Sequence, residues 1–350
     1  MPLPPSLAPA THRPSAVFAQ SKPLTTPEST SSGAIGSQDL LHAAQLANAL
    51  TDGIGQVISG AIDAAQLATV TLIAGGHLLI EDVPGVGKTT LAKALSRTIN
   101  CSVGRIQFTP DLLPSDLTGV SLYRAEKGEF EFRPGPVFNH VVIGDEITRA
   151  SPKTQSALLE CMEEGQVTVD GTTHRLPQPF LVVATQNPIE MDGTYPLPEA
   201  QRDRFMTCID VGYPDRAAEH QMLDRFETTS PLNALEPVAS AHDITVLQTL
   251  ARRIHAAASV KDYVLALVAT TRNDPQVRLG ASPRASLQLL GAAKARALLD
   301  GRDYCVPDDV QELVKPVLAH RLILNTEARL QGDTAADVVS QILAATPVPR

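Results

Sequence analysis

Tryptophan is absent from the 350-residue chain and aromatic residues make up only 4% of it, so its cores must be built from Leu, Val, Ile and Ala. Cysteine is scarce: Cys101, Cys161, Cys208 and Cys305 lie far apart, with no C-x-x-C pair and no histidine at zinc-finger spacing. That pattern argues against a disulfide framework or a zinc module and predicts reduced thiols in a cytoplasmic protein. Positive charge is in deficit, the formal net charge being -9. A broad basic surface for non-specific nucleic-acid binding is thereby disfavoured. Long apolar runs are lacking as well. Residues 61–80 come nearest to one, but Asp63, Gln66, Gly75, Gly76 and His77 interrupt them, so no membrane insertion is expected. The stretch reads instead as an amphipathic helix, with Ile62, Ala65, Leu72 and Ile73 to one side, running into a strand. No apolar run followed by a cleavage site marks the N-terminus, and no secretory signal is expected there.

Apolar residues at 43% suffice for ordinary packing, and the length predicts two folded domains rather than one. Residues 1–36, rich in Pro, Ser, Thr and Ala without period, read as a disordered tail. From 37 to 212, helical patterns alternate with short apolar strands at His77–Glu81, Val103–Phe108, Val141–Asp145, Phe180–Thr185 and Met206–Val211. This alternation predicts an α/β domain: a parallel five-stranded sheet with helices on both faces. A Pro-flanked linker at 213–236 leads to residues 237–350, where only helical periodicity shows, as in Leu247, Leu250, Ala251 and Ile254. That texture predicts a small all-α lid.

After the first strand comes Asp82-Val83-Pro84-Gly85-Val86-Gly87-Lys88-Thr89-Thr90, then a helix carrying Leu91, Leu95 and Ile99. Strand, glycine-containing loop and helix start are the context a phosphate-binding loop needs. Residues Pro84 to Thr90 would hold ATP: Gly85 and Gly87 let backbone N–H groups curl round phosphate oxygens, and the helix start adds its dipole. Lys88 would reach the β- and γ-phosphates and Thr89 would bind Mg²⁺. Asp82 stands where the strict G-x-x-x-x-G-K-[ST] pattern has glycine, and its place at the strand end predicts a side chain pointing away from the phosphates.

Downstream, Val141-Val142-Ile143-Gly144-Asp145-Glu146 is an apolar strand ending in two carboxylates. Beside a phosphate loop, Asp145 orients Mg²⁺ and Glu146 polarises the attacking water as general base. The strand Phe180–Thr185 leads to Gln186-Asn187-Pro188, where Asn187 would stand level with the γ-phosphate and help hold that water, the role called sensor 1. In Leu197-Pro198-Glu199-Ala200-Gln201-Arg202-Asp203-Arg204-Phe205, an arginine can project into a neighbouring subunit's ATP site. Ser282-Pro283-Arg284 opens a helix with Ser as N-cap and an apolar face of Leu287, Leu290 and Ala297. From its first turn Arg284 could swing over the phosphates as sensor 2.

These strings together resemble the MoxR family of AAA+ proteins. The resemblance rests on Val83 to Thr89, Phe132-Arg133-Pro134-Gly135-Pro136, Gly144-Asp145-Glu146-Ile147 and Ala184-Thr185-Gln186-Asn187-Pro188-Ile189-Glu190. It rests also on Gly193-Thr194-Tyr195-Pro196-Leu197-Pro198-Glu199-Ala200-Gln201 and Gly280-Ala281-Ser282-Pro283-Arg284-Ala285, and runs from about residue 40 to 345. It implies a P-loop AAA+ fold with a helical lid, and an ATP hydrolase using Mg²⁺. In its terms Lys88 and Thr89 are Walker A, Asp145 and Glu146 Walker B, Asn187 sensor 1, Arg204 the arginine finger and Arg284 sensor 2. Arg202 departs from the family pattern, which more often has an apolar residue there. The family forms homo-oligomeric, hexameric rings that remodel or mature client proteins, often with a partner carrying a von Willebrand factor A domain.

Two insertions could touch a client: Thr109 to Gly119, and a hairpin of Val167–Val169 and Thr172–Leu176 turning at Asp170-Gly171. Neither carries an aromatic residue of the kind that grips peptide in threading motors, which favours local remodelling. Alternative readings are a magnesium-chelatase-type motor subunit, which shares the hairpin before sensor 1, and a scaffold that binds ATP with little turnover. A P-loop kinase would need an acceptor site and no lid arginine.

Overall fold

The computed structural model describes residues 35–188, 194–226 and 231–349. The expected disordered tail therefore lies outside the described residues for all but its last two positions, as do residues 189–193 of the string after Asn187. Five strands form the central sheet: β1 Leu78–Glu81, β2 Val103–Gln107, β3 Val141–Asp145, β4 Leu181–Gln186 and β5 Thr207–Ile209. They lie in the order β5-β1-β4-β3-β2, every pairing parallel. Each falls within two residues of its sequence-derived bounds. β3 and β4 are buried along their whole length, which is why they read as unbroken apolar runs rather than alternating ones. The period of two is still there. Leu78, Ile80, Val141, Ile143, Leu181 and Val183 enter one core, while Leu79, Val142, Val182 and Ala184 enter the other. Register pairs Glu81 with Gln186 and Gln107 with Asp145, so β1, β4, β3 and β2 present their carboxyl ends along one edge.

The longer helices, numbered in chain order, are α1 Ser37–Val57, α2 Ile62–Ala74, α3 Lys88–Thr98, α4 Pro152–Glu164 and α5 Arg216–Phe226. They continue with α6 Ala241–Arg253, α7 Ala258–Asn273, α8 Pro283–Leu299, α9 Pro307–Leu318 and α10 Ala335–Ala345. No helix of the described residues is long and apolar enough to cross a membrane. α2 packs against α1 and α3 on one side and against α6 and α8 on the other. It is therefore buried all round from Ala68 to Ile73, and of its expected apolar face only Ile62 is exposed. α8 differs from expectation in the same way. It buries Ala285, Leu289, Ala292 and Ala293, and Leu287 stands 74% exposed off that face.

Beyond residue 237 the structure adds two short pairings to the helices. Val277–Leu279 runs antiparallel to Ile323–Leu324, and Ala239–Ser240 lies beside Ile99–Asn100. Two or three residues are too few to show an alternating pattern, so the sequence displayed only the helical period. The stretch 213–236 holds α5 and the single turn Pro231–Ala234.

The hairpin Gln166–Val169/Thr172–Arg175 forms as read, with Asp170 and Gly171 both at positive φ (48° and 78°) as a tight two-residue turn requires. The other insertion, Thr109 to Gly119, has no helix or strand before Pro114. Only Pro114–Thr118 is helical, and the chain then makes a second hairpin, Gly119–Arg124 with Glu129–Pro134. Tyr123 and Phe130 face each other across it, ring centroids 5.3 Å apart, and are 60% and 74% exposed. At its base Phe132 stacks on His174 of the first hairpin at 4.1 Å. An aromatic pair is thus displayed just beyond the Thr109–Gly119 insertion, a second surface that could touch a client.

Candidate active site

β1 ends at Glu81 and α3 begins at Lys88, so six residues must turn the chain through the sheet edge. Gly85 and Gly87 do this at φ 89° and 97°, a left-handed region that side chains other than glycine rarely adopt. A Cβ at Gly85 would meet nothing within 4 Å, so conformation rather than crowding calls for glycine there. No described side chain caps α3, whose first turn lies beside a cleft.

That cleft holds about 350 Å³. Pro84, Gly85, Gly87, Lys88, Thr89 and Thr90 line it from the loop and helix, Asp145 and Glu146 from the end of β3, and Thr185 and Asn187 from β4. Residues up to a hundred positions apart in sequence are thus brought together at the carboxyl ends of the strands, where open α/β sheets bind ligands. Val86 is not among the lining residues.

Thr89 donates its hydroxyl to Asp145 Oδ1 at 2.9 Å, and Arg105 Nε donates to Asp145 Oδ2 at 2.8 Å. Asp145 is only 3% exposed, and a carboxylate so buried needs both oxygens engaged. Glu146 takes a left-handed backbone conformation (φ 60°), strain of the kind found at functional positions, and its N–H donates to Thr185 Oγ1 at 3.0 Å. Its carboxylate accepts from Gln107 Nε2 at 3.3 Å and pairs with Arg149 at 2.9 Å. Lys88 Nζ donates to the carbonyls of Asp82, Val83 and Gln186. Asn187 is buried at the cleft wall, 8% exposed.

Asp82 points away, as its strand-end position predicted. Its carboxylate accepts N–H bonds from Val83 at 2.7 Å, Val211 at 2.9 Å and Gly212 at 2.7 Å.

The donor set suits Mg-ATP. Glycine N–H groups and Lys88 match phosphate oxygens, while Thr89 and Asp145 match a magnesium ion that takes one or two protein oxygens and completes its shell from phosphates and water. Among the described residues no group of three or more His, Cys, Asp or Glu could hold a metal alone, so this metal would arrive with its nucleotide.

Arg105 and Gln107 were missed by sequence reasoning. A signal existed: in β2 the odd positions are exposed and Gly104 and Ile106 buried, so two polar residues on one face of a strand beside the loop point at the cleft.

The arginines lie elsewhere. Thr207 pairs with Leu78, so the turn before β5 sits at the amino end of the sheet, a four-residue strand or roughly 13 Å from the cleft edge. Arg204 pairs there with Glu163 at the end of α4, 2.9 Å away. Arg284, expected over the phosphates of its own chain, pairs with the same Glu163 and lies 3.8 Å from Asp203. Neither lines the cleft. Arg202 instead reaches Glu81 at 3.5 Å.

Residues 77–207 match the ATPase family associated with various cellular activities (AAA), and residues 269–342 match the AAA lid domain. Chaperone MoxR1 of Mycobacterium tuberculosis is 41% identical over 85% of this chain and 81% of its own length. Protein MoxR of Methylorubrum extorquens is 33% identical over 85% and 93%, and the uncharacterised Bacillus subtilis protein YeaC 50% identical over 89% and 97%. The crystal structure of a Cytophaga hutchinsonii protein described as a candidate ATPase superposes with a TM-score of 0.81 at 38% identity, covering 89% of this chain and 97% of that one.

Proposed function

The chain belongs to the MoxR family of AAA+ ATPases, and we propose that it binds ATP with Mg²⁺ in the cleft at the carboxyl ends of β1, β3 and β4 and hydrolyses it to ADP and phosphate. The observation that carries this reading is the 2.9 Å contact between Thr89 and Asp145. It sets a hydroxyl at a helix start against a buried carboxylate at the spacing that lets both serve one hydrated cation. When bound, Mg²⁺ would neutralise charge building on the phosphate oxygens. Lys88 exchanges its carbonyl partners for phosphate oxygens, and the N-terminus of α3 adds its dipole to the same anion. Glu146 holds the attacking water and takes its proton, with Asn187 fixing the water's other side.

Arg204 completes the site from a neighbouring copy. A cation at the amino end of the sheet has no path to its own cleft, and its partner Glu163 is itself 38% exposed, so the pair faces outward. Arg284, on the same carboxylate, acts beside it rather than in its own subunit. The assembly would be a homo-oligomeric ring, a hexamer by family resemblance. Its work would be remodelling or maturing a client protein, with a von Willebrand factor A domain protein as a candidate partner; the name of the chaperone relative supports the first part.

The test is to separate binding from turnover. Lys88→Ala should lose ATP binding, whereas Glu146→Gln should bind ATP and stall by about 10²-fold or more. Hydrolysis by Glu146→Gln at the wild-type rate would show that another group activates the water. A second reading, a scaffold with little turnover, draws on the Gln107 and Arg149 bonds that engage Glu146. It predicts that wild type binds ATP tightly yet releases almost no phosphate.

A further inference from the structure

The turn that carries Arg204 is tied to the helical region as well as to the sheet domain it belongs to. Arg321, in the short turn Ala319–Arg321, has a side chain only 2% exposed. Its Nε donates to Asp203 Oδ1 at 2.9 Å, and its Nη2 to the carbonyls of Asp203 at 3.3 Å and Phe205 at 2.6 Å and to Gln288 Oε1. Its Nη1 donates to the carbonyls of Met206 at 3.3 Å and Val317. His320 adds a bond from Nε2 to the Phe205 carbonyl at 3.1 Å. Burying a guanidinium is costly unless its fork of donors is met, and here every nitrogen is engaged. Burial still lowers its pKa to about 10, with Asp203 opposing the shift.

Ser282 supplies the second link. It occupies the N-cap position of α8 but makes no capping bond. Its hydroxyl donates instead to both oxygens of Asp203 at 2.9 Å. A serine at an N-cap ordinarily accepts a bond from its own helix's N–H groups. Its diversion ties the start of α8, and with it Arg284 two residues on, to the residue before Arg204. Asp203 thus joins three pieces of chain, and Glu163 holds both outward-facing arginines on one carboxylate.

We propose that Asp203 and Arg321 are positioning residues that lock Arg204 and Arg284 into one rigid pair, so that lid and finger reach the neighbouring subunit's nucleotide together. The inference rests on the trans-acting site proposed above. Any lid movement driven by a subunit's own nucleotide then moves the finger it offers to the next cleft, which gives sequential firing a mechanical route.

The experiment assigns variants to complementation classes. Lys88→Ala damages the cleft and keeps the finger; Arg204→Ala does the reverse. Asp203→Asn should bind ATP as wild type does, lose turnover by about 10³-fold as Arg204→Ala does, recover when mixed with Lys88→Ala, and stay inactive when mixed with Arg204→Ala. Arg321→Met should join the same class and Arg321→Lys should recover part of the rate, which a general loss of packing would not produce. Wild-type turnover by Asp203→Asn, or recovery when it is mixed with Arg204→Ala, overturns the proposal. Should Asp203→Asn melt far below wild type, Ser282→Ala decides. Loss of one bond to a charged group predicts about a tenfold slower rate in the finger class, and an unchanged rate overturns the proposal. If Arg204→Ala and Lys88→Ala fail to complement each other in assemblies that demonstrably mix, the trans site itself is wrong, independently of Asp203.

Discussion

The two ends of the central sheet are built by different means. At the carboxyl end, the candidate machinery comes from short contiguous strings: Lys88 and Thr89 at a helix start, Asp145 and Glu146 at a strand end, Asn187 one residue beyond another. At the amino end nothing is contiguous. Arg204, Arg284 and Arg321 come from two regions of the chain and meet on Glu163 and Asp203. The carboxyl end is shaped by backbone geometry, which a local sequence can encode. The amino end presents charge by tertiary packing, which it cannot. In the proposed mechanism each end is half of a catalytic site, and the halves meet only between subunits.

The largest effect should come from cutting that division. Arg204→Ala is expected to reduce steady-state ATP turnover by about 10³-fold while leaving nucleotide affinity within about threefold, since the charge acts on the transferring group rather than on ground-state binding. Arg202→Ala, whose guanidinium faces Glu81 in its own chain, should cost far less. Turnover assays beside fluorescent-nucleotide titrations decide. A greater loss from Arg202 than from Arg204 would mean that the two ends are not partitioned as described.

Acid should sharpen the contrast. His77, buried just before β1, accepts from the Val182 N–H at Nδ1 (3.0 Å) and meets the Met162 carbonyl at Nε2 (3.1 Å), next to Glu163 on α4. Burial lowers its pKa to about 4. The unfolded chain, with a histidine near 6.5, therefore binds this proton more readily than the folded one. The stability due to neutral His77 is complete above pH 6.5 and is lost as pH falls towards 4, by about 3 kcal/mol in all. Denaturant midpoints followed from pH 7 to 4 should fall in wild type and fall less in His77→Gln, where the buried His320, its pKa also lowered by burial, still contributes. Because His77 ties α4 to the sheet, hydrogen exchange should show the Glu163 end of α4 loosening before the start of α3.

Much of the fold was legible because its signals are local. Short strands alternating with helical patterns marked all five strands, and Asp170-Gly171 marked its hairpin through a turn that needs two positive φ angles. What stayed hidden depends on neighbours distant in sequence. Leu287 falls on the periodic face of α8 yet is exposed, because the helices that cover α8 reach the face of Leu289 and Ala293. The hairpin bearing Tyr123 and Phe130 turns at Ala125-Glu126-Lys127-Gly128, a weaker signal than Asp-Gly, although Glu129-Phe130-Glu131-Phe132 alternates cleanly. Glu163 gave no sign at all. A glutamate at a helix end is ordinary until two arginines from other elements arrive at it.

The smallest effect should be at Asp82, where the chain departs from the strict phosphate-loop pattern. Its carboxylate is turned towards Val211 and Gly212, where the chain leaves β5, and accepts their N–H groups. Asp82→Gly restores the pattern but removes those bonds, so nucleotide affinity and stability should respond separately. ATP affinity should shift by less than about tenfold, or roughly 1.4 kcal/mol, because the charge does not face the phosphates. Stability should fall by about 1–3 kcal/mol, because backbone donors lose a charged acceptor. Asp82→Asn keeps one acceptor oxygen for Val211 and Gly212, gives up the bond from Val83 and removes the charge, so it probes repulsion with less change of geometry than glycine does. An affinity gain well beyond tenfold in Asp82→Asn would mean that the charge does reach the nucleotide, and that the carboxyl end is a weakened cleft rather than a complete one awaiting its arginines.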